Sequence, residues 1–229
     1  MSNKYDVIVT GSEGFIGSRL VSYLQNKSYK VGRFDLALGH NLCDPKVVNQ
    51  IFSSSSCPRL VTMHGTNHHI DAKNAKNGWA QDVTPEEFSE VLVNNVTTTY
   101  SICKAFMSTR SNGKIINTSS IYSLVSPNPT LYLPNEKNIA YGVSKAAINQ
   151  LTRHLAVHGA PNFSANTIIL GGIERNHDKN FIDKYSAGVP MGRMGSIEDV
   201  LPLIETLLFQ QSPYLTGAEI ILDGGYTCL

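Results

Sequence analysis

Six short apolar runs recur along this chain, and their alternation with helical segments limits its possible folds more than any other feature. The runs are YDVIVT (5–10), YKVGRFD (29–35), RLVTMHG (59–65), GKIINTSS (113–120), FSANTIIL (163–170) and AEIILDGG (218–225). Between them lie segments with apolar residues at helical spacing, such as FIGSRLVSYLQN, EEFSEVLVNNVTTTYSICKAFM and YGVSKAAINQLTRHLAVHG. This alternation predicts an α/β fold, with a parallel sheet covered by helices on both faces. At 229 residues, 41% of them hydrophobic, the chain is read as a single domain, 1–229.

Local chemistry marks several helix ends. Thr84-Pro85-Glu86-Glu87 offers an N-cap, a proline at the first helical position and a capping-box acid. Ser196 and Asp199 repeat the box. Gly159 follows the last apolar residue of a helix predicted over 141–158, as a C-cap tolerant of positive φ. Two polar or proline-rich stretches, 67–83 and 126–138, read as surface loops near strand ends, where they would shape a pocket.

TGSEGFIG (10–17) sits at the first strand-to-helix junction. Gly11, Gly14 and Gly17 permit a tight turn and let backbone N–H groups approach a pyrophosphate, which the positive end of the following helix also favours. No GKS or GKT ending follows, which argues against a mononucleotide P-loop. Asp35, at the end of the second run, could accept hydrogen bonds from both adenosine ribose hydroxyls and repel a 2′-phosphate, favouring NAD over NADP. Arg33, on the same strand face, would soften that preference.

Composition excludes other partners. Nineteen Lys plus Arg against 18 Asp plus Glu give a net charge of +1 without a basic run, which disfavours nucleic acid and anionic membranes. The first residues read neither as a signal peptide nor as a membrane span, and Cys43, Cys57, Cys103 and Cys228 form no CxxC pair, so a cytoplasmic location is expected. His154 and His158 share a helix face, and His64, His68 and His69 cluster near a strand end. Without HExxH or a nearby cysteine, no metal site is expected.

Tyr141 and Lys145 are four residues apart, as are Tyr23/Lys27 and Tyr100/Lys104, so spacing alone assigns no chemistry. Context separates them. TGSEGFIG, the asparagine of EVLVNNVTTTY (90–100), INTSSIYS (116–123), YGVSK (141–145), NTIILGGI (166–173) and YLTGAEIILDGGYT (214–227) together resemble the short-chain dehydrogenase/reductase family over nearly the whole chain. The resemblance implies a Rossmann-like, doubly wound, mostly seven-stranded parallel sheet. It also implies a catalytic set of Asn95, Ser120, Tyr141 and Lys145, with Ser119 and Asn94 as the nearest competitors. Cofactor contacts are implied at Gly11, Ser12, Gly14, Phe15, Ile16, Gly17, Asp35, Asn41, Leu42, Gly65, Tyr141, Lys145, Gly172 and Ile173.

The chemistry suits these residue types. A tyrosine hydroxyl, with an ordinary pKa near ~10, is a weak acid–base catalyst at neutral pH unless a cation one helical turn away stabilises its phenolate. By resemblance, Lys145 also holds the nicotinamide ribose, Ser120 bonds the substrate oxygen, and Asn95 fixes the helix and a water leading to Lys145.

Some features depart from the family. TMHG (62–65) stands where an NNAG-like turn is common, and Leu170 replaces the proline of a PG turn. The GxxGxxG spacing resembles a longer branch containing sugar-nucleotide epimerases and dehydratases, whose larger substrate domain this chain is too short to carry. The stretch between Ser120 and Tyr141 is long and holds Tyr122, Asn128, Tyr132 and Asn135, which would suit a sugar or sugar nucleotide. Residues 174–195 are expected to form a flap. The expected activity is interconversion of an alcohol and a carbonyl on a small-molecule substrate; a bound-NAD epimerase and a non-catalytic dinucleotide sensor are the alternatives. By resemblance, a homodimer or homotetramer would assemble through helices 86–109 and 141–158 and the last strand.

Overall fold

A computed structural model of the chain describes residues 3–67, 69–70, 83–132, 136–209 and 214–229. Six parallel strands form the main sheet: β1 (Val7–Thr10), β2 (Val31–Phe34), β3 (Arg59–Thr62), β4 (Gly113–Ser120), β5 (Phe163–Leu170) and β6 (Glu219–Leu222). Their spatial order is β6-β5-β4-β3-β1-β2. The helices are α1 (Phe15–Asn26), α2 (Pro45–Ser54), α3 (Pro85–Leu92), α4 (Thr98–Ser108), α5 (Pro129–Tyr132), α6 (Ile139–Gly159), α7 (Lys179–Ala187) and α8 (Ile197–Phe209).

Strand alternation assigns the two faces of the sheet. Ile8, Leu60, Ile115 and Ala165 point to one side, where they pack with Val48 and Phe52 of α2, Ile102 and Phe106 of α4, and Ala156 of α6. Val7, Val9, Val61, Ile116 and Ile168 point to the other, against Leu20 and Leu24 of α1 and Val200, Ile204 and Leu208 of α8. The register is consistent across the sheet: Ile8 pairs with Leu60, Leu60 with Ile115, and Ile115 with Ala165. Phe106 is fully buried edge-on to Phe52 (6.0 Å) and Phe163 (6.1 Å). Its truncation to alanine should cost about 3–5 kcal/mol.

Among the described residues the main sheet has six strands, where the family resemblance implied seven. Only α2 and a short 3₁₀ turn separate β2 from β3 in any length, and a further parallel strand would need its own crossover of about a dozen residues. With no room for that unit, β2 ends the sheet.

The Thr84 box forms as expected: the Glu87 amide donates to Thr84 Oγ1 (3.2 Å) and the Thr84 amide to Glu87 Oε2 (2.9 Å). Half of the second box forms, with the Ser196 amide donating to Asp199 Oδ2 (2.8 Å). The reading of Gly159 as a left-handed cap is corrected. Gly159 ends α6 without positive φ, and Ala160 caps the helix in an extended conformation. Gly159 instead permits close packing, since a Cβ there would lie 2.8 Å from Phe163 Cβ. The 126–138 stretch is more ordered than a plain loop, because it contains α5 and Glu136–Lys137, which pairs antiparallel with His69–Ile70. Most of 67–83, including Trp79, lies outside the described residues, as does Asn135.

Candidate active site

The order of the sheet reverses between β1 and β3, so helices leave opposite faces there and a crevice opens beyond the strand ends. A cleft of about 430 Å³ occupies this place, lined by the start of α1, residues 63–67, the end of β4, Tyr141 and Lys145 of α6, and residues 170–173.

The glycine loop floors one end. Gly11 has φ of +70°, and a Cβ on it would lie 2.4 Å from the His64 amide nitrogen. A Cβ on Gly17 would lie 2.0 Å from the Gly11 carbonyl oxygen, so both positions are closed to any side chain. The N-terminus of α1 has no side-chain cap and no acidic residue in its first turn. Gly14, Phe15, Ile16 and Gly17 line the cleft there, presenting the positive end of a helix dipole. Two hydroxyls lining the cleft, of Thr66 and Thr118, are buried and have no hydrogen-bond partner among the described residues. Donors of this kind fit a dinucleotide.

Beside the loop, Asp35 accepts from the Glu13 amide (3.1 Å, Oδ2) and the Ala37 amide (2.9 Å, Oδ1). Arg33 is held by Glu13, with Nη2 to Oε1 at 2.7 Å and Nε to Oε1 at 3.2 Å. This fork draws Glu13 below the ordinary carboxylate range. Ser12 is buried and donates to Glu13 (3.0 Å). Asn41 accepts from the Cys43 amide (3.1 Å), whereas Leu42 is 8% exposed and packs in the core with α2. Neither lines the cleft among its described walls.

At the other end, Ser120 closes β4, and its hydroxyl accepts from the Tyr122 amide (3.3 Å). Ser119 turns away, donating to the Lys145 carbonyl (3.1 Å). Tyr141 and Lys145 share one face of α6, whose start is capped by Asn138. Burial pushes the Tyr141 phenol up, while a hydrogen bond with Ser120 draws it down. Lys145 Nζ lies 5.7 Å from the Tyr141 ring centre and donates to the Thr118 carbonyl (3.0 Å). Burial pushes its ammonium down to about 8.

Asn95 sits in a π-helical turn, Val93–Thr97, that joins α3 to α4. Its Oδ1 accepts from the Thr66 amide (2.7 Å); its Nδ2 donates to the Thr66 carbonyl (3.1 Å) and Ser144 Oγ (2.9 Å). One side chain thus ties the loop after β3 to α6. Gly65 makes room for it, since a Cβ there would be 2.9 Å from Asn95 Oδ1. Asn94 instead lies beside Cys43.

The other Tyr/Lys pairs are structural. Tyr23 (2.7 Å) and Lys27 (2.6 Å) both bind Glu205, linking α1 to α8, and Tyr100 is 47% exposed.

TMHG places His64 between two threonines: Nδ1 lies 2.8 Å from Thr10 Oγ1 and Nε2 3.1 Å from Thr99 Oγ1. Thr99 donates its one proton to the Asn95 carbonyl (2.7 Å). Nε2 of His64 must therefore carry the ring proton, and Nδ1 accepts from Thr10. Burial, then the charge of Lys145, pushes this imidazole down to about 3. In LGGI, Leu170 remains in β5 opposite Ser120, and the Gly172 amide donates to Tyr185 Oη (2.6 Å). Tyr185 belongs to α7, which gives the 174–195 segment a docked helix. Ile173 bridges to Gly195 and lines the cleft.

Sequence reasoning missed Lys137, Arg175 and His177, which also line the cleft. Their signal was cationic character inside the two excursions already singled out. Of the residues read as sugar-binding, Tyr122 and Tyr132 hydrogen-bond each other, and Asn128 accepts from the Thr130 amide (3.0 Å) and hydroxyl (2.9 Å). Among the described residues, no group of His, Cys, Asp and Glu could hold a metal, and no helix is long and apolar enough to cross a membrane. His154 and His158 stack on each other at 6.0 Å.

A family model described as enoyl-(acyl carrier protein) reductase matches residues 36–227. The chain is 33% identical to a 7alpha-hydroxysteroid dehydrogenase of Clostridium sardiniense over 171 residues, covering 71% of this chain and 60% of that protein. It is 30% identical to a galactitol 2-dehydrogenase of Rhizobium johnstonii over 162 residues, covering 65% and 60% respectively. The match thus spans about three-fifths of these relatives' length. A solved short chain dehydrogenase from Leptospira borgpetersenii with bound NAD+ superposes with a TM-score of 0.86 at 26% identity, covering 99% of this chain and 93% of that one.

Proposed function

The chain belongs to the short-chain dehydrogenase/reductase family, and from that premise we propose that it interconverts an alcohol and a carbonyl, with Tyr141 as acid–base catalyst. The observation that carries this reading is the convergence of Ser120, Tyr141 and Lys145 on one cleft with the uncapped start of α1. When bound, a nicotinamide dinucleotide supplies the hydride acceptor or donor.

In the oxidation direction, Tyr141 as phenolate takes the proton from the substrate hydroxyl; in reduction it returns that proton to the forming alkoxide. Lys145, cationic below about 8, makes the phenolate more accessible than burial alone allows. Ser120 donates to the same substrate oxygen, where negative charge grows. Asn95 positions the Thr66 main chain and α6, so its effect on turnover passes through Tyr141 and Lys145. Gly65, Gly172 and Ile173 bring backbone close to the nicotinamide end.

We assign NAD rather than NADP. A 2′-phosphate needs a cation, and Arg33 is already forked onto Glu13 while the Asp35 carboxylate stands beside the loop. The polar cleft favours a hydroxylated substrate such as a polyol or sugar. Assembly as a homodimer or homotetramer would cover exposed Val93 and Tyr100, Val143 and Val157 of α6, and Ile221 of edge strand β6; light scattering tests it. A reducing, cytoplasmic setting fits four free cysteines.

The test is NAD-dependent oxidation of a polyol and alcohol panel by wild-type protein and Tyr141→Phe. Turnover should fall by about 10²-fold or more while NADH affinity stays nearly unchanged. Equal turnover by both proteins would remove Tyr141 from the mechanism.

A further inference from the structure

Tyr185 joins the 174–195 segment to the wall of the cleft through one short contact. Its hydroxyl accepts from the Gly172 amide at 2.6 Å, and the residue is 3% exposed. Gly172 fits there only because it lacks a side chain, since a Cβ on it would lie 2.6 Å from Tyr185 Cζ. The tyrosine ring is held by two neighbours. Tyr226, in the turn after β6, stacks on it at 5.3 Å and 17°, and Phe181, one helical turn earlier in α7, at 6.1 Å and 26°. Phe181 in turn stacks on His177 at 4.9 Å, and Asp178 caps α7 by accepting from the Phe181 amide (3.0 Å). This aromatic column fixes where the phenol oxygen stands.

Gly172 belongs to the stretch Gly171-Gly172-Ile173, which lines the cleft, whereas Tyr185 is not among its described walls. Main-chain bonds hold most of this stretch. The Gly171 amide donates to the Leu222 carbonyl at the end of β6 (2.9 Å), and the Gly195 amide to the Gly172 carbonyl (2.9 Å). The Glu174 amide donates to the Gly195 carbonyl (2.8 Å), which completes a parallel bridge between Ile173 and Gly195. In that pattern the N–H and C=O of Ile173 itself point away from Gly195. The Gly172 amide is held by a side chain instead, and that side chain belongs to α7. Removing the phenol oxygen would leave this donor facing the edge of a buried ring.

We infer that Tyr185 is a positioning residue for the nicotinamide half of the dinucleotide: its hydroxyl sets the Gly172–Ile173 main chain at the cleft wall and so ties cofactor seating to the docking of α7. The assignment rests on the reading of the cleft as a dinucleotide site and adds a residue that acts from behind its wall. Without the phenol oxygen, the Gly172 amide must turn toward another acceptor. The nicotinamide end then meets a displaced wall, or restores the original one with its donor unsatisfied. The other half of the cofactor, on the glycine loop and the start of α1, gains nothing from this contact.

The experiment is calorimetric titration with NADH and with ADP-ribose, which keeps the adenosine, the diphosphate and the second ribose but lacks the nicotinamide. Tyr185→Phe removes the oxygen and keeps the ring with its stacking, so the fold should be retained, as a melting curve checks. In this variant NADH affinity should fall by about tenfold, with ADP-ribose affinity within about twofold of wild type. Tyr226→Phe makes the same deletion on the adjoining ring and should change neither affinity. A merely structural role for Tyr185 predicts that both ligands weaken together. That result, an unchanged NADH affinity in Tyr185→Phe, or the same selective loss in Tyr226→Phe would overturn the assignment. Equal affinity of the wild-type protein for NADH and ADP-ribose would overturn it while leaving the dinucleotide reading standing. Binding of neither ligand would sink that reading itself, and the role of Tyr185 with it.

Discussion

His64 gives a prediction whose size can be worked from the site. The neutral ring carries its proton on Nε2, bridges Thr10 and Thr99, and is pushed down to about 3 by burial and Lys145. The unfolded chain returns it to its ordinary 6.5. As pH falls from 7 to 5 the unfolded state takes up this proton and the folded state does not, so stability must fall. Part of the residue borders the cleft, where solvent moderates the shift. Over this window, however, any folded value below about 4 gives nearly the same loss, about 2 kcal/mol. The assay is urea unfolding of wild type and His64→Gln at pH 7 and pH 5. Other histidines contribute equally to both proteins, so the wild type should lose about 2 kcal/mol more than the variant. Equal pH dependence would show that His64 titrates normally in the folded state and would refute the buried neutral bridge.

Other outcomes follow from the same geometry. Gly17→Ala sets a Cβ 2.0 Å from the Gly11 carbonyl oxygen, so the loop must open; calorimetry should show NADH affinity lowered by about tenfold or more. Glu13→Ala releases Arg33 and should raise NADPH affinity relative to NADH, and Asp35→Ala should move the ratio further in the same direction. Tyr23→Phe and Lys27→Met act only on the Glu205 link between α1 and α8, so kcat/KM should match wild type.

Much of the fold was legible because its signals are local. Two strands have the bounds of their apolar runs, β4 and β5, because each run is buried along most of its length. The other four runs shorten to four paired residues each, as where YDVIVT pairs only over Val7–Thr10 and AEIILDGG only over Glu219–Leu222. The missing seventh strand was also written in the chain, which offers six runs; resemblance overrode that count. Gly159 misled because a glycine at a helix end fits either a left-handed cap or close packing, and only the position of Phe163 decides between them. Ser119 and Ser120 differ by register at the end of β4, which turns the Ser119 hydroxyl to the Lys145 carbonyl and leaves that of Ser120 beside the Tyr122 amide. The clamp that Asn95 makes on Thr66 and Ser144 joins segments distant in sequence and leaves no local pattern. Lys137 escaped notice because its place in the cleft lining is a tertiary feature that its own loop sequence does not mark.

The central claim is that this cleft binds a nicotinamide dinucleotide, and the most direct test is calorimetric titration of purified protein with NADH and, separately, NADPH. The account predicts saturable one-to-one binding of NADH and distinctly weaker binding of NADPH. Binding of neither would contradict it, because the glycine loop, the uncapped helix start and Asp35 would then have no ligand in common.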